Sequence, residues 1–355
     1  MARLKREMMF VPPLLRPALG LFLFLAAIAP ARADNPFGIM LWPTDAGDMP
    51  LLAARARGLG VGWFRPPAVF LDRWQGLPAC PPCGAPRRAG LKTALTVRNG
   101  GSDGLPRRPS SPPDDLPAYR HTLADVLDAW KPDLLVVENE EGNPRFFETG
   151  RTPAETAAAY GRELGAACEI AHAKGAACAN GGLTGDRAAA FAWLTLLSRQ
   201  DADTACDFAR RAFSEPNDRD RGQRLCAYRS ADEVPAAVRA AMLGNIEDLL
   251  AQYRTQPVDR VNLHWFGHDA GALAIVAQLL AQATGKPVMS NEIGQLRGDS
   301  DPANVRPLLR AAFASGLDPA IWFSIDTPTT VSLFNLDGSL RPGGREFVHQ
   351  MSGLK

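Results

Sequence analysis

Residues 134–141 are Leu-Leu-Val-Val-Glu-Asn-Glu-Glu, an apolar run that ends in four polar residues. A short continuous apolar run is typical of a strand that is buried on both faces. A helical pattern precedes it over residues 114–130. A longer one follows over residues 153–174, with Thr152 as N-cap and Gly175 at its end. Helix, strand, polar edge and helix in this order predict a βαβ unit of a parallel sheet.

The same alternation recurs along the chain. Helical patterns also cover residues 48–58, 271–284 and 304–315, whereas the connection before the third run is rich in Pro, Gly and Cys. The runs that we take as strands are Phe37–Trp42, Val61–Arg65, Lys92–Arg98, Leu134–Glu138, Ala176–Asn180, Val261–Trp265, Pro287–Asn291 and Ala320–Ser324. They predict an α/β fold, a single-domain (β/α)₈ TIM barrel with elaborated βα loops. A doubly wound open sheet competes with it, but no Gly-x-Gly-x-x-Gly turn follows the first run.

The N-terminus has the features of a secretory signal peptide. Three basic residues lie within the first six positions, Gly20–Ile28 is a short apolar core, and Ala31-Arg-Ala33 fits a cleavage site. We therefore predict a signal peptide over 1–33, a barrel domain over 34–355, and a secreted or periplasmic protein. An uncleaved N-terminal anchor is the alternative, although the apolar core is short for a membrane span. The sequence contains no other long apolar stretch, so we predict no membrane-spanning helix after removal of the signal peptide.

The cysteines and the net charge of residues 34–355 indicate the properties of the protein after removal of the signal peptide. Pairing between neighbours in sequence predicts three disulfides: Cys80 with Cys83, Cys168 with Cys178, and Cys206 with Cys226. A redox motif or half of a zinc site are the alternatives for Cys80-Pro-Pro-Cys83. Residues 1–33 carry five basic side chains and one acidic one, so the formal charge of +1 becomes about −3 after cleavage. Nucleic acid is therefore not an expected partner, and we expect a monomer.

Polar and aromatic residues stand where the predicted strands end. In a (β/α)₈ barrel these ends meet at one face, where the active site forms. The residues are Arg65, Asn99, Glu138, Asn139, Glu140, Glu141, His264, Trp265, Asn291, Glu292, Trp322 and Asp326. Acids, amides and flat aromatic faces together fit an oligo- or polysaccharide substrate. We find no Gly-x-Ser-x-Gly elbow and no phosphate loop, and we expect no cofactor.

Two of these positions resemble the catalytic motifs of the clan A glycoside hydrolases. Those barrels carry an Asn-Glu pair at the end of strand four and a Glu at the end of strand seven. Asn139-Glu140 is similar to the first motif, and Glu292 within Ser290–Gly294 is similar to the second. The resemblance implies that Glu140 is the acid/base, that Glu292 is the nucleophile and that Asn139 binds the sugar 2-hydroxyl. It implies a retaining glycosidase that works by double displacement.

Other strand-end residues resemble supporting positions of that clan. Arg65 is similar to the arginine that holds the nucleophile, and His264 and Trp322 are similar to a histidine and a tryptophan that follow strands six and eight. We expect Trp265 and Asn99 to bind substrate as well. Core packing of the two tryptophans and an ordinary salt bridge of Arg65 are the alternatives. His264 and His268 are not on a helix face, and we expect no metal site.

Two choices stay open at this level. Glu138, Glu140 and Glu141 compete for the acid role, and strand alternation would put Glu138 on the same face as Glu140. A catalytically inactive carbohydrate-binding barrel of the cell envelope is the alternative to the glycosidase, and a structural envelope component is a third hypothesis. The separation of the carboxyl groups of Glu140 and Glu292 distinguishes the hypotheses about function. Retention needs about 5–5.5 Å, inversion needs about 6.5–9.5 Å, and a separation well beyond about 10 Å favours the inactive barrel.

Overall fold

The structure is a computed structural model that describes residues 35–41, 48–76, 83–101, 109–148, 151–213, 219–267, 269–295, 301–325 and 331–353. The predicted signal peptide lies outside these residues, as do Trp42, Cys80, His268 and Asp326. No helix within the described ranges is both long and apolar enough to cross a membrane.

Eight parallel strands form the barrel. They are β1 Phe37–Leu41, β2 Trp63–Arg65, β3 Lys92–Arg98, β4 Leu134–Val137, β5 Ala177–Asn180, β6 Val261–Trp265, β7 Val288–Ile293 and β8 Ala320–Ser324. Their order in the sheet is β5-β4-β3-β2-β1-β8-β7-β6. Isolated bridges from Ala179 to Arg260 and from Leu183 to Leu263 join the two outer strands and nearly close the sheet. The predicted (β/α)₈ barrel is therefore confirmed.

Helices surround the strands and also form the largest insertion. They are α1 Met49–Gly58, α2 Ala85–Arg88, α3 Leu116–Trp130, α4 Pro153–Ala173, α5 Gly185–Ser198, α6 Ala202–Ala212, α7 Arg219–Leu225, α8 Ala236–Leu243, α9 Ile246–Thr255, α10 Ala270–Thr284, α11 Pro302–Ala314 and α12 Pro342–Gly353. The described part of the connection before β3 contains little helix, namely a 3-10 turn at Leu71–Arg73 and the four residues of α2, as the weak helical signal there predicted.

Helix α4 illustrates how local sequence sets these boundaries. Thr152 accepts a hydrogen bond from the backbone of Glu155, and the Glu155 side chain accepts one from the backbone of Thr152. This reciprocal capping box satisfies two donors that a helix start leaves unpaired. At the other end, Gly175 has φ +77°, which a residue without Cβ adopts at little cost. The predicted N-cap is confirmed.

Two apolar cores follow from strand alternation. The residues that point into the barrel are Met40, Trp63, Ala94, Leu134, Val136, Ala179, Met289 and Ile321. Alternate residues such as Leu135, Val137 and Leu263 point outward and pack against the helices. Because apolar side chains fill the barrel interior, polar inward residues are concentrated near the carboxyl ends of the strands.

Two of the three predicted disulfides lie within the described residues. Cys168 in α4 pairs with Cys178 in β5, and Cys206 in α6 pairs with Cys226 just after α7. Cys83 is also disulfide-bonded, while its expected partner Cys80 lies outside the described residues. Disulfides persist in oxidising compartments, so both described pairs are consistent with secretion.

Candidate active site

Glu140 and Glu292 meet at the carboxyl end of the barrel, although 152 positions separate them in sequence. One carboxylate oxygen of each, together with a ring nitrogen of His264, lies within 4.8 Å of the others. The side chains of the two glutamates remain partly open to solvent, at 14% and 10% exposure. The two residues that resemble the clan A pair are thus brought together.

Glu140 owes its position to a tight turn after β4. Its own φ is +48°, and that of Glu138 is +69°, so the strand ends at Val137, one residue before its predicted end. Asn143 donates from Nδ2 to Oε2 of Glu140 over 2.7 Å, and Nδ1 of His264 lies 3.0 Å from Oε1. Both carboxylate oxygens therefore have a fixed neighbour.

Glu138 does not share a face with Glu140, contrary to the expectation from strand alternation. Its positive φ turns the side chain to the third strand, where it accepts from the backbone N–H of Asn99 (2.6 Å) and from Ser110 Oγ (2.8 Å). Nε of Arg98 lies 3.6 Å away. Burial raises the pKa of Glu138 to about 7, although these hydrogen bonds and Arg98 oppose the rise. Glu138 is therefore a buried structural acid.

Glu141 also lies apart from the pair that Glu140 and Glu292 form. It is buried, accepts from Asn180 Nδ2 over 2.8 Å and pairs with the hydroxyl of Tyr253. Burial raises its pKa, and the hydrogen bonds from Tyr253 and Asn180 oppose the rise. Of the three glutamates at this strand end, only Glu140 is near Glu292 and partly exposed, which favours it as the acid.

Glu292 reaches the interior because β7 contains a bulge. Met289 is the register partner of Asn262, but Glu292 is that of His264, so β7 holds one extra residue between these pairs. Alternation would otherwise turn Asn291 and Glu292 to opposite faces. Arg65 donates from Nη1 to Glu292 Oε1 over 2.6 Å. Burial alone would raise the pKa of Glu292, but His264 and Arg65 outweigh it and hold the pKa below its ordinary value.

His264 stands between the two carboxylates. Its Nδ1 lies 3.0 Å from Glu140 Oε1 and 3.4 Å from Glu292 Oε2, and its side chain is 1% exposed. Burial is the largest influence and lowers the pKa of His264, but Glu292 and Glu140 together raise it above its ordinary value. The ring is thus biased toward the imidazolium form by two anions.

Trp265 and Trp322 occupy the core, and their expected contact with substrate is corrected. They are 2% and 1% exposed, and both belong to the outer core between strands and helices. Trp265 directly follows the inward His264, so it points outward by alternation. Trp322 packs edge-on against Phe347 of α12 with ring centroids 5.9 Å apart. Of the two roles left open by the sequence, the structure assigns core packing.

Other aromatic residues are better placed at the mouth of the barrel. Phe266 follows β6, Phe323 lies near the end of β8, and their rings form an edge-to-face pair with centroids 5.6 Å apart. Both are half-buried. Gly294 leaves room for this pair, because a Cβ there would lie 3.1 Å from the Phe266 ring. Sequence reasoning missed both, although Phe323 alternates with the outward Trp322 and so had to point inward.

The two remaining predicted residues differ in their contacts. Asn99 donates from Nδ2 to the carbonyl of Ser111 over 2.9 Å, and its backbone holds Glu138, so it organises the neighbouring loop. Asn139 is half-buried beside Glu140, and its side chain makes no hydrogen bond within the described part of the chain. Asn139 is therefore the better candidate for a ligand contact.

The atoms of Glu140, His264 and Glu292 are close enough together to bind a metal ion. However, the same atoms already satisfy one another, and the Arg65 guanidinium adds a fixed positive charge on Glu292. A divalent cation would have to compete with this arginine. The arrangement fits acid–base chemistry between carboxyl groups.

Comparisons with known proteins agree with the fold. No protein-family model matches the sequence, and a search of curated proteins finds no significant match. The AHE enzyme from Alicyclobacillus herbarius is 14% identical, with a TM-score of 0.50 over 87% of each chain. A β-mannanase from Streptomyces thermolilacinus, solved with mannohexaose, is 14% identical, with a TM-score of 0.50 over 88% of this chain and 86% of that one. At these identities the likeness supports the barrel fold alone and assigns no family.

Proposed function

We propose that this protein is a retaining glycoside hydrolase of oligo- or polysaccharides, with Glu140 as acid/base and Glu292 as nucleophile. The proposal rests on one observation: a carboxylate oxygen of Glu140 lies within 4.8 Å of one of Glu292. Retaining enzymes hold the two groups about 5–5.5 Å apart, whereas inverting enzymes leave about 6.5–9.5 Å for a water molecule. An upper limit of 4.8 Å on one oxygen pair is compatible with the separation that the covalent route needs.

In the first step, Oε2 of Glu292 attacks the anomeric carbon. Oε1 is held by Arg65, so Oε2 is the oxygen with the weaker contact, 3.4 Å from His264. Glu140 donates a proton to the glycosidic oxygen as the bond to the anomeric carbon breaks. The leaving group departs as an alcohol, and the sugar remains esterified to Glu292.

In the second step, a water molecule replaces the departed group. Glu140 accepts a proton from this water, which attacks the anomeric carbon and releases Glu292 as a carboxylate. Two displacements on one carbon return the original anomeric configuration. The low pKa of Glu292 supports this step as well, because an ionised carboxylate is the better leaving group.

The sugar itself would lie against Phe266 and Phe323, with Asn139 near its 2-hydroxyl. Half-buried aromatic rings supply the flat apolar surface that a pyranose face needs. We further propose that residues 1–33 are a signal peptide cleaved after Ala33, and that the mature enzyme is secreted or periplasmic. The two described disulfides are consistent with that location.

Glu292→Gln and Glu140→Gln test the assignment. The parent protein is incubated with a panel of β-linked glycans that includes mannohexaose, new reducing ends are counted, and the anomer first released is identified by proton NMR. We expect retention in the parent and a fall in kcat of roughly 10⁴-fold or more for Glu292→Gln. Glu148→Gln, an exposed acid on the same loop, is the matched control. Unchanged turnover in Glu292→Gln would refute the assignment.

A catalytically inactive carbohydrate-binding barrel is the second candidate. The low exposure of the Glu292 side chain, 10%, and its ion pair with Arg65 favour this candidate. This candidate predicts saturable binding of a glycan from the panel, with no new reducing ends after long incubation. Hydrolysis that depends on Glu140 would exclude it.

A further inference from the structure

Three buried asparagines form a ladder across neighbouring strands beneath the catalytic pair. They are Asn180 of β5, Asn262 of β6 and Asn291 of β7. The backbone N–H of Asn262 donates to Oδ1 of Asn180 over 2.6 Å, and that of Asn291 donates to Oδ1 of Asn262 over 2.9 Å. A backbone N–H only donates, so the first two amides can present only their oxygen there. Their orientations are thus fixed by the backbone.

The ladder also fixes the third amide. With Oδ1 of Asn262 committed, its Nδ2 donates to Oδ1 of Asn291 over 2.7 Å and to the carbonyl of Asn180 over 3.2 Å. Rotating the Asn291 amide would place two NH₂ groups against each other. The opposite edge agrees, because Nδ2 of Asn291 faces the hydroxyl of Thr96 at 3.5 Å. Asn291 therefore presents an oxygen toward the barrel interior.

This oxygen decides the protonation of one nitrogen of His264. Nε2 of His264 lies 2.9 Å from Oδ1 of Asn291, and an amide oxygen only accepts, so Nε2 carries a hydrogen. The ring is held closely on this side, since a Cβ on Gly182 (φ +115°) would lie 2.2 Å from Nε2. Only Nδ1 is left to exchange a proton, and its neighbours are the carboxylates of Glu140 and Glu292.

We propose that His264 is a positioning residue that stores the acid proton of Glu140, and that the asparagine ladder reserves Nδ1 for this exchange. In the resting site the proton lies on Nδ1. It passes over 3.0 Å to Oε1 of Glu140, which leaves a neutral ring with its hydrogen on Nε2. Glu140 then gives a proton to the leaving oxygen. When Glu140 takes a proton from water in the second step, that proton returns to Nδ1 and the cycle balances.

The charges around the ring are consistent with this exchange. Glu292 and Glu140 favour the imidazolium, whereas burial and the guanidinium of Arg65 oppose it. Glu141 also interacts with the charge of the ring. The net bias toward the imidazolium means that the ring holds a proton beside Glu140 in the resting site.

The test is NMR of the full chain labelled with ¹⁵N in its five histidines. Two-bond ¹H–¹⁵N correlations distinguish the two neutral tautomers and the cation, and loss of a spin system in His264→Gln assigns the ring. We expect His264 to titrate from the cation to the Nε2–H tautomer. The proton on Nδ1 should lie downfield, and its chemical shift should move upfield more in Glu140→Gln, which replaces its nearer partner at 3.0 Å, than in Glu292→Gln, whose carboxylate lies at 3.4 Å. Exposed His121 is the internal control, and its ring resonances should be the same in the parent and the variants.

Two results would overturn the inference: a neutral His264 ring that carries its hydrogen on Nδ1 in the parent protein, or an Nδ1 proton whose chemical shift does not move in Glu140→Gln. The inference rests on the proposed function, but the two can fail separately. If the spectra are as expected but no glycan is hydrolysed, the proton shared by His264 and Glu140 stands and the glycosidase proposal is refuted. Hydrolysis by a protein with the Nδ1–H tautomer would refute only the proton store.

Discussion

Arg65 and Glu292, 227 positions apart, form a buried ion pair in which Nη1 lies 2.6 Å from Oε1. The same Nη1 donates to the backbone carbonyl of Asn291 over 3.1 Å, and Nε donates to Thr96 Oγ1 over 3.1 Å. The guanidinium is thus fixed by three partners on two strands. It holds one oxygen of Glu292, stabilises its charge and leaves the other oxygen facing His264.

Arg65→Met is therefore expected to move the acid limb of the kcat/KM profile to higher pH. Loss of the cation lets burial raise the pKa of Glu292, and the nucleophile ionises only at higher pH. Arg65→Lys keeps the charge and should move the limb less. Because removal of one partner of a buried pair costs about 3–5 kcal/mol, thermal unfolding is measured alongside. An unmoved acid limb in folded Arg65→Met would contradict this electrostatic role.

His264→Gln should move the alkaline limb of the same profile to lower pH. The raised pKa of His264 keeps the stored proton in the site to higher pH, and this reserve is absent from the variant. The pH profile of kcat/KM is measured on whichever panel glycan is hydrolysed. A lower kcat with an unmoved alkaline limb would indicate a purely structural role for His264.

Phe323→Ala and Trp322→Phe should have opposite effects, although the residues are adjacent. Phe323 faces the mouth of the barrel, so its truncation should raise KM roughly 10-fold, as loss of an aromatic contact of about 1.5 kcal/mol implies. Trp322 packs on Phe347, so its replacement should lower the melting temperature and leave KM unchanged. A raised KM in Trp322→Phe alone would return Trp322 to the substrate site.

Glu138 and Glu163 interact beneath β4, and Glu163→Gln should change how stability depends on pH. The two carboxyl groups form a side-chain hydrogen bond, which requires a proton on one of them, and the hydroxyl of Tyr119 is the other hydrogen-bond partner of Glu163. Burial raises the pKa of Glu138 to about 7 and that of Glu163 well above its ordinary value. Because these pKa values are higher in the folded state than in the unfolded chain, the pair contributes its full stabilisation below about pH 4.5. This contribution is lost as the pH rises through about 7.

The amide introduced by Glu163→Gln would supply a donor that does not titrate. The difference in free energy of unfolding between the variant and the parent, measured in urea, should therefore shift in favour of the variant by about 1–3 kcal/mol from pH 5 to pH 8. Glu169→Gln, on the exposed face of the same helix, is the matched control and should show little pH-dependent difference. Equal effects at both pH values would rule out the shared proton.

The sequence predicted the barrel because each strand and helix carries its own local signal. β3, β6 and β8 have the predicted bounds, and α4 starts at its predicted cap. The proximity of Glu140 and Glu292 was predictable too, since strand ends meet at one face. Side-chain direction at the irregular positions was not predictable. The positive φ at Glu138 and the bulge before Glu292 break alternation, and both depend on contacts made across the closed sheet.

The site contained one further signal that sequence reasoning did not use. Asn180, Asn262 and Asn291 lie in three consecutive strands, where a buried amide needs a partner. One asparagine in each of three neighbouring strands indicates a polar ladder, but only the folded structure shows which amide faces which ring nitrogen. The tryptophans were misplaced for the opposite reason, because residue type was weighed above strand alternation.

The two described disulfides join cysteines only 10 and 20 positions apart. Loops of this length close in well under a millisecond, far faster than a barrel can assemble from eight strands spread over the chain. The two thiols of each pair can therefore meet on a short stretch of chain, before the first and last strands are in contact. Proximity along the chain thus favours these two pairings over pairings between distant thiols.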